Sequence, residues 1–357
     1  MIDPAFWRGK RVFVTGHTGF KGAWLSLWLG ELGARVSGFS LAPPTEPSLY
    51  AVAGVRDGLA DETIADIRDG AALAAAVRRA DPEIALHLAA QALVLPSYDD
   101  PVETFSTNVV GTVSALREAP SLRAAIAVTS DKCYENREWP WGYRETDAMG
   151  GHDPYSASKG AAELAVASMR RCFFPPEGRV GLASARAGNV IGGGDWSAHR
   201  LVPDLLRALA AGEPCFIRHP RAIRPWQHVL DPLAGYLVLA EALWRDGAAH
   251  AMGWNFGPRE ENAKPVAWIA EKLAALWGGP ADWAPAAPPV HENAYLKLDI
   301  GQATGRLPWR PAWSIEDALA AVAAWHRAHA EGADMLAVTL AQIAGFSRAA
   351  AASIPPS

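Results

Sequence analysis

Residues 11–39 constrain this chain more than any other stretch. Val12-Phe13-Val14-Thr15 reads as a buried strand, and Gly16-His17-Thr18-Gly19-Phe20-Lys21-Gly22 follows it directly. Lys21 to Leu32 reads as a helix, with Trp24, Leu25, Leu27, Trp28 and Leu32 forming a broad apolar face. Arg35 to Phe39 is a second strand. Strand, glycine-rich turn, helix and strand in this order imply a right-handed crossover between parallel strands. The glycines let the backbone turn tightly. The helix that follows offers free N–H groups and the positive end of its dipole to an anion.

The pattern continues. Ile84–Leu88, Ile126–Thr129 and Val180–Ser184 read as further strands, with helices around 71–78, 102–118 and 155–173. Alternation of this kind predicts a doubly wound parallel α/β sheet of the Rossmann type, whose strands end on one ligand-binding rim. After Ser184 the pattern is broken by Gly192-Gly193-Gly194, Pro203, Pro214, Pro220 and Pro225. The expected organisation is a dinucleotide-binding domain over 1–190, with a return excursion near 224–248. A smaller C-terminal α/β substrate domain follows over 191–350. Ala281–Pro289 reads as a loop, Ile315–His329 as a helix, and the tail 349–357 as fraying.

Composition narrows the function classes. Half the residues are hydrophobic and the net charge is −5 without a lysine or arginine block, which speaks against nucleic acid or an anionic membrane as partner. The three cysteines have neither CxxC spacing nor an even count. A disulfide framework or metal site is not expected, and a cytoplasmic setting fits. The first residues lack an apolar signal core, and no apolar run reaches the roughly 20 residues of a membrane helix.

In its strand–helix context the GxxGxxG turn predicts binding of a nicotinamide dinucleotide through Gly16, His17, Gly19, Phe20, Lys21 and Gly22. The second strand ends in Ser40 rather than an acid, and no arginine follows closely, which favours NAD over NADP. Asp66-Ile67 either meets the adenine or is a solvated turn. Tyr155 and Lys159 are four apart at the start of a helix and share one face. A phenol normally titrates near ~10, and a nearby ammonium together with a positive nicotinamide lowers that value, so Tyr155 is expected to act as the base at an alcohol. Ser130, at the end of a strand, is placed to hydrogen-bond the reacting oxygen. Asp131 and Lys132 beside it add an acid and a base, or else form a structural ion pair.

The glycine loop, the strand end at Val128-Thr129-Ser130 and Tyr155-Ser156-Ala157-Ser158-Lys159 together resemble the extended short-chain dehydrogenase/reductase family. Within it the chain resembles the CDP-D-glucose 4,6-dehydratases. The matching stretches include Val14–Gly22, His87-Leu88-Ala89-Ala90-Gln91, Ser106-Thr107-Asn108-Val109, Thr129–Asn136, Arg186–Trp196, Arg224–Val229 and Tyr295–Asp299. Relatives acting on dTDP-glucose carry Thr-Asp-Glu where this chain has Ser130-Asp131-Lys132, and 4-epimerases lack the acid/base pair. Many relatives have a basic residue where Leu95 stands.

The resemblance implies C4 oxidation with Tyr155 as base and Lys159 beside it, loss of water from C5 and C6, and hydride return to C6. Asp131 is the implied acid for the C6 hydroxyl and Lys132 the implied base at C5. The product is a precursor of deoxy sugars for surface polysaccharides. It also implies cofactor contacts from Leu88, Ala89, Ala90, Asn108 and Thr129. Substrate contacts are implied for Gln91, Asn189, Arg200, Phe216-Ile217-Arg218, Arg224 and Tyr295. Asn189 and Arg224 would meet the diphosphate and 216–218 would border the cytosine; surface solvation is the competing account of Arg218 and Arg224. The helices after Pro101 and from Tyr155 carry apolar outer faces suited to a homodimer or a dimer of dimers. Competing functions are another nucleotide-sugar 4,6-dehydratase (dTDP or GDP), a 4-epimerase, or a dinucleotide-sensing regulator, which has no need of Tyr155 and Lys159.

Overall fold

The computed structural model describes residues 2–116, 119–279, 283–285 and 295–353. Short, mostly apolar runs give the strands β1 (Arg11–Thr15) and β2 (Arg35–Ser40), the polar edge run Asp61–Ile64 gives β3, which the sequence did not announce, and further apolar runs give β4 (Ile84–His87), β5 (Ala124–Val128) and β6 (Gly181–Ala187). A seventh strand, Gly253–Phe256, closes the edge beside β6. The order is Gly253–Phe256, β6, β5, β4, β1, β2, β3, and every pairing is parallel. All carboxyl ends therefore face one rim, and the strand order reverses between β1 and β4, where a crevice forms.

Helices cover both faces. Phe20–Glu31 and Leu230–Arg245 pack into one large core with Val12, Val14, Leu86, Ile126 and Ala185. On the other face Gly70–Ala80 and Pro154–Phe173 pack on Phe13, Phe39, Ala125 and Leu182. Burying each large apolar side chain contributes about 1.5–3 kcal/mol, so these two layers hold the rim rigid. A separate core joins Leu201–Ala211, Val266–Trp277 and Ile315–Ala330 through Val202, Leu205, Ile269, Leu273, Ile315 and Leu319. Short strand pairs edge it: Cys215–Ile217 with Trp283–Pro285, and Ile223–Pro225 with Ala263–Pro265.

Several elements differ from the expectation. The helix expected over 102–118 is Pro101–Phe105, a π-helical turn Ser106–Val110, and Gly111–Ala115, with 117–118 outside the described residues. Of the loop expected over 281–289, only Trp283–Pro285 is described, and it is a strand. The chain returns to the sheet beyond 224–248, at Gly253–Phe256, a run too short to stand out from its surroundings. Met335–Ser353 is one helix, so 349–353 are helical; 354–357 lie outside the described residues. This helix is long and apolar enough to cross a membrane by length and composition. Here it buries Met335, Thr339, Ile343 and Phe346 on the fold, with Phe346 edge-on to Trp28 at 5.8 Å.

Candidate active site

The rim opens into a cavity of about 1090 Å³. The glycine turn forms its floor. Gly16 has φ +78, and a Cβ there would stand 2.7 Å from the backbone nitrogen of Ala89. A Cβ on Gly22 would stand 2.0 Å from the Gly16 carbonyl oxygen. Only glycine fits either place. Gly19 caps the helix without a side-chain hydrogen bond, so the first-turn N–H groups stay open for an anion. A cradle of bare backbone at a helix N-terminus fits the diphosphate of a dinucleotide.

Around that floor the structure brings together most of the residues singled out in the sequence. Gly16, Gly19, Phe20, Lys21, Gly22, Ser40, Asp66, Ile67, Leu88, Ala89, Ala90, Gln91 and Thr129 line the cavity. So do Ser130, Asp131, Lys132, Tyr155, Lys159, Asn189, Arg200, Phe216, Ile217, Arg218 and Arg224, with Leu95 among them. At the adenosine end, Ser40 shares a 2.8 Å hydrogen bond with Thr18, whose hydroxyl also donates to the Leu41 carbonyl. Asp66 is not a bare turn aspartate: it accepts from the Arg68 guanidinium, which also lines the wall and holds the carboxyl below its usual range.

Three expected contacts are not on the wall. His17 turns away beneath Gly38, and its Nε2 meets Glu62 Oε1 at 2.7 Å. Burial lowers its pKa against the pull of that carboxylate. Asn108 is fully buried and braces the backbone of Gln91, as its short polar side chain inside the π-helical turn dictates. Tyr295 donates its hydroxyl to the Pro140 carbonyl at 3.1 Å, and its neighbour Leu296 takes the place on the wall. Thr18, Arg68, His152, Gly188 and Asp195, which the sequence alone does not single out, also line the cavity. Thr18 and Asp195 lie inside motifs already noted; Arg68 and His152 carry no local signal.

The reactive groups are placed by local rules. Asp153 caps the helix by accepting from Ser156 N at 2.9 Å, Pro154 takes the first turn, and Ser97 Oγ accepts from Tyr155 N at 3.1 Å. Tyr155 and Lys159 then project together into the rim, with Lys159 Nζ 6.0 Å from the Tyr155 ring centroid. Just past β5, Ser130 Oγ donates to Asp131 Oδ1 at 3.0 Å and accepts from Lys132 N at 3.2 Å. A Cβ on Gly188 would stand 2.8 Å from Asp131 Oδ2, so this glycine makes room for the carboxyl.

Burial decides the charges. It pushes Tyr155 up to about 12, against a hydrogen bond with Ser130 that lowers it. The lowering expected from an ammonium together with a positive nicotinamide is therefore not supplied by the protein's own groups. Burial also lowers Lys159 to about 8, which weakens it as a source of positive charge. Lys21 falls to about 8 by burial and by the neighbouring Arg200. Asp131 is raised by burial, against the attraction of Lys132. Burial shifts Asp131 toward the protonated form that can act as an acid, and a phenol that needs added positive charge to ionise is a base that works only in a filled site.

Behind the site, Glu163 accepts from Thr129 Oγ1 at 2.5 Å, Ser184 Oγ at 2.7 Å and Arg186 Nη2 at 2.7 Å. This buried pair fixes the end of β5 to the helix that carries Tyr155 and Lys159.

The comparisons with known proteins agree with this geometry. A model of the NAD dependent epimerase/dehydratase family matches residues 12–252. The chain is 51% identical to CDP-glucose 4,6-dehydratase of Salmonella typhimurium, over 98% of this chain and 99% of that protein. It is 26% identical to dTDP-glucose 4,6-dehydratase of Xanthomonas campestris pv. campestris, over 88% of this chain and 92% of that protein. Among solved structures it resembles the DesIV double mutant, a dTDP-glucose 4,6-dehydratase from Streptomyces venezuelae with NAD and DAU bound. The TM-score is 0.77 at 21% identity, covering 91% of this chain and 99% of that one. It likewise resembles UDP-glucose 4-epimerase of Thermus thermophilus in complex with NAD, with TM-score 0.76 at 21% identity over 88% and 98%.

Proposed function

The chain belongs to the NAD-dependent epimerase/dehydratase family, and from that premise we propose that it converts CDP-D-glucose to CDP-4-dehydro-6-deoxy-D-glucose and water. The observation that carries the reading is the convergence of Tyr155, Lys159 and Ser130-Asp131-Lys132 on one cavity with the glycine cradle. NAD, held by the cradle and by Ser40, supplies when bound the hydride acceptor for C4, the donor for C6, and a positive ring that favours the Tyr155 phenolate.

The chain's own groups move the protons. Tyr155 removes the C4 hydroxyl proton, and Ser130 hydrogen-bonds the same oxygen. The resulting C4 ketone acidifies C5, whose proton passes to Lys132. Asp131, whose hold on a proton burial strengthens, gives that proton to the C6 hydroxyl, which leaves as water. Lys132 later returns a proton to C5, and the proton that Tyr155 took from the C4 hydroxyl replaces, through the site's hydrogen bonds or solvent, the one that Asp131 gave to the departing water. The two hydride transfers cancel, so no NAD is consumed. Arg200 and Arg224 line the cavity and supply fixed charge for the diphosphate, and Arg224 offers a fork geometry matched to phosphate. Phe216, 68% exposed beside Arg218, offers a face for the cytosine.

In this reading residues 1–190 form the dinucleotide domain, with later returns to it, and 191–350 form the substrate domain. Val102, Phe105, Val110 and Leu164, exposed on helices that flank the site, form the face on which two copies pair. The free cysteines suit a cytoplasmic enzyme.

The test uses CDP-glucose deuterated at C4, mixed with unlabelled substrate of distinguishable mass. Deuterium is expected at C6 of the labelled molecules only. Solvent hydrogen at C6, or stoichiometric NADH in bulk solution, would falsify the dehydratase reading.

A further inference from the structure

His87 is a buried, titratable side chain that the reaction does not use, and its hydrogen bonds can be assigned completely. Its Nδ1 lies 2.7 Å from Thr15 Oγ1 and its Nε2 lies 3.0 Å from Thr112 Oγ1. Thr112 has one hydroxyl proton, directed to the Asn108 carbonyl at 2.7 Å. His87 Nε2 must therefore donate. Thr15 Oγ1 receives the N–H of Ala89 at 3.2 Å and shares that of Leu88, at 3.2 Å, with the Thr15 carbonyl at 3.1 Å. With Nε2 donating, Nδ1 of the neutral ring accepts, and the Thr15 hydroxyl, which already faces two N–H groups, gives its own proton to it. The neutral Nε2–H tautomer satisfies every donor and acceptor. The Nδ1–H tautomer and the imidazolium both aim a proton at an oxygen that already faces two N–H groups. Burial with Lys159 nearby pulls the ring to about 3, in keeping with a neutral group.

Each end of this chain of hydrogen bonds reaches a different half of the machinery. At the Thr15 end, the next residue is Gly16, packed on Ala89 in the glycine cradle. At the Thr112 end, Asn108 Oδ1 accepts from Gln91 N at 2.9 Å. Its Nδ2 donates to the Gln91 carbonyl at 2.9 Å and to Ser158 Oγ at 2.8 Å. Ser158 Oγ in turn donates to the Tyr155 carbonyl at 2.7 Å. We infer that His87 is a positioning residue, a neutral Nε2–H bridge that sets the glycine cradle in register with the helix carrying Tyr155 and Lys159. The inference rests on the reading that the cradle holds NAD.

Two measurements test it. Long-range nitrogen–proton NMR on the full chain labelled with 15N-histidine is expected to show His87, assigned by its absence in His87→Leu, as the Nε2–H tautomer from pH 5 to 9. An Nδ1–H or doubly protonated ring overturns the assignment without reference to any sugar. The second is kinetic. His87→Leu and Thr112→Val are each expected to weaken NAD binding about tenfold and slow single-turnover NADH formation from CDP-glucose about tenfold. Thr112→Ser should restore both, and the double variant should be no worse than either single one, because both cut the same bridge. A purely structural histidine would lower the melting temperature and leave the NAD dissociation constant and oxidation rate of the folded fraction unchanged. That result, or additive losses, overturns the proposal. The NAD titration needs no sugar, so a wrong substrate leaves it decisive.

Discussion

Gly22→Ala offers a direct measure of how tightly the cradle is built. The added Cβ would stand 2.0 Å from the Gly16 carbonyl oxygen, 2.7 Å from its carbon and 2.8 Å from His17 Cα, all of them backbone atoms. Real Cβ atoms do not approach below 3.0 Å, so the turn and helix must part by about 1 Å. Gly16 cannot simply retreat. Its N–H is bonded to the Phe39 carbonyl at 2.8 Å, and it already lies against Ala89. The strain destabilises the fold by about 1–3 kcal/mol. More tellingly, the N–H groups aimed at the diphosphate shift by a third of a hydrogen-bond length. Charge-assisted hydrogen bonds contribute about 1.5–3 kcal/mol each. Losing one or two good geometries costs about 2–4 kcal/mol, or roughly 30- to 700-fold in the NAD dissociation constant. Calorimetric titration with NAD reads this directly, and circular dichroism confirms the fold. Gly30→Ala is the control. It is exposed on the same helix, with no atom within 4 Å of the new Cβ. It should bind NAD normally and gain about 0.5–1 kcal/mol of stability. If folded Gly22→Ala binds NAD within threefold of the parent, the close-packed cradle is not what holds the cofactor.

Tyr155→Phe should bind NAD normally and lose C4 oxidation by about 10²–10⁴-fold, because only proton transfer is removed; weakened NAD binding with oxidation intact would make the tyrosine structural. Asp131→Asn should slow elimination more than oxidation, so stopped-flow absorbance should show NADH accumulating before product; equal slowing of both steps would remove the acid from Asp131. Asp231 is fully buried, accepts from Ala312 N at 2.7 Å, and is raised by burial to about 7. Its folded pKa lies above its unfolded one, so the folded state holds the extra proton between about 4 and 7, and stability falls as pH rises through that window. The slope is limited to about 1.4 kcal/mol per pH unit. Asp231→Asn should therefore gain on the parent in melting temperature from pH 4 to pH 8, and a constant difference would place the titration elsewhere.

What could be read from the sequence alone was whatever depends on neighbours along the chain. The β-branched and alanine-rich runs define five of the seven strands within a few residues, because a strand buried on both faces must be apolar throughout; Asp61–Ile64, a polar edge strand, carries no such run. The GxxGxxG turn announces the cradle, because the helix start and tight turn are local. Tyr155 and Lys159 share a face for the same reason, four residues being close to one helical turn. Tertiary structure decided the rest. His17 sits within the motif, yet Gly38 and Glu62, on strands that reach it only through the sheet, take its side chain away from the cavity. Asn108 and His87 face inward to brace Gln91 and Thr15, a role set by partners from other elements. The seventh strand, Gly253–Phe256, exists because β6 presents an open edge, not because four residues favour a strand by themselves. The charge state of Tyr155 is likewise a matter of burial: sequence placed an ammonium one turn away, but desolvation by the folded rim raises the phenol and lowers the lysine together. Local spacing fixes which groups can meet, and only the packed interior fixes the dielectric in which they do so.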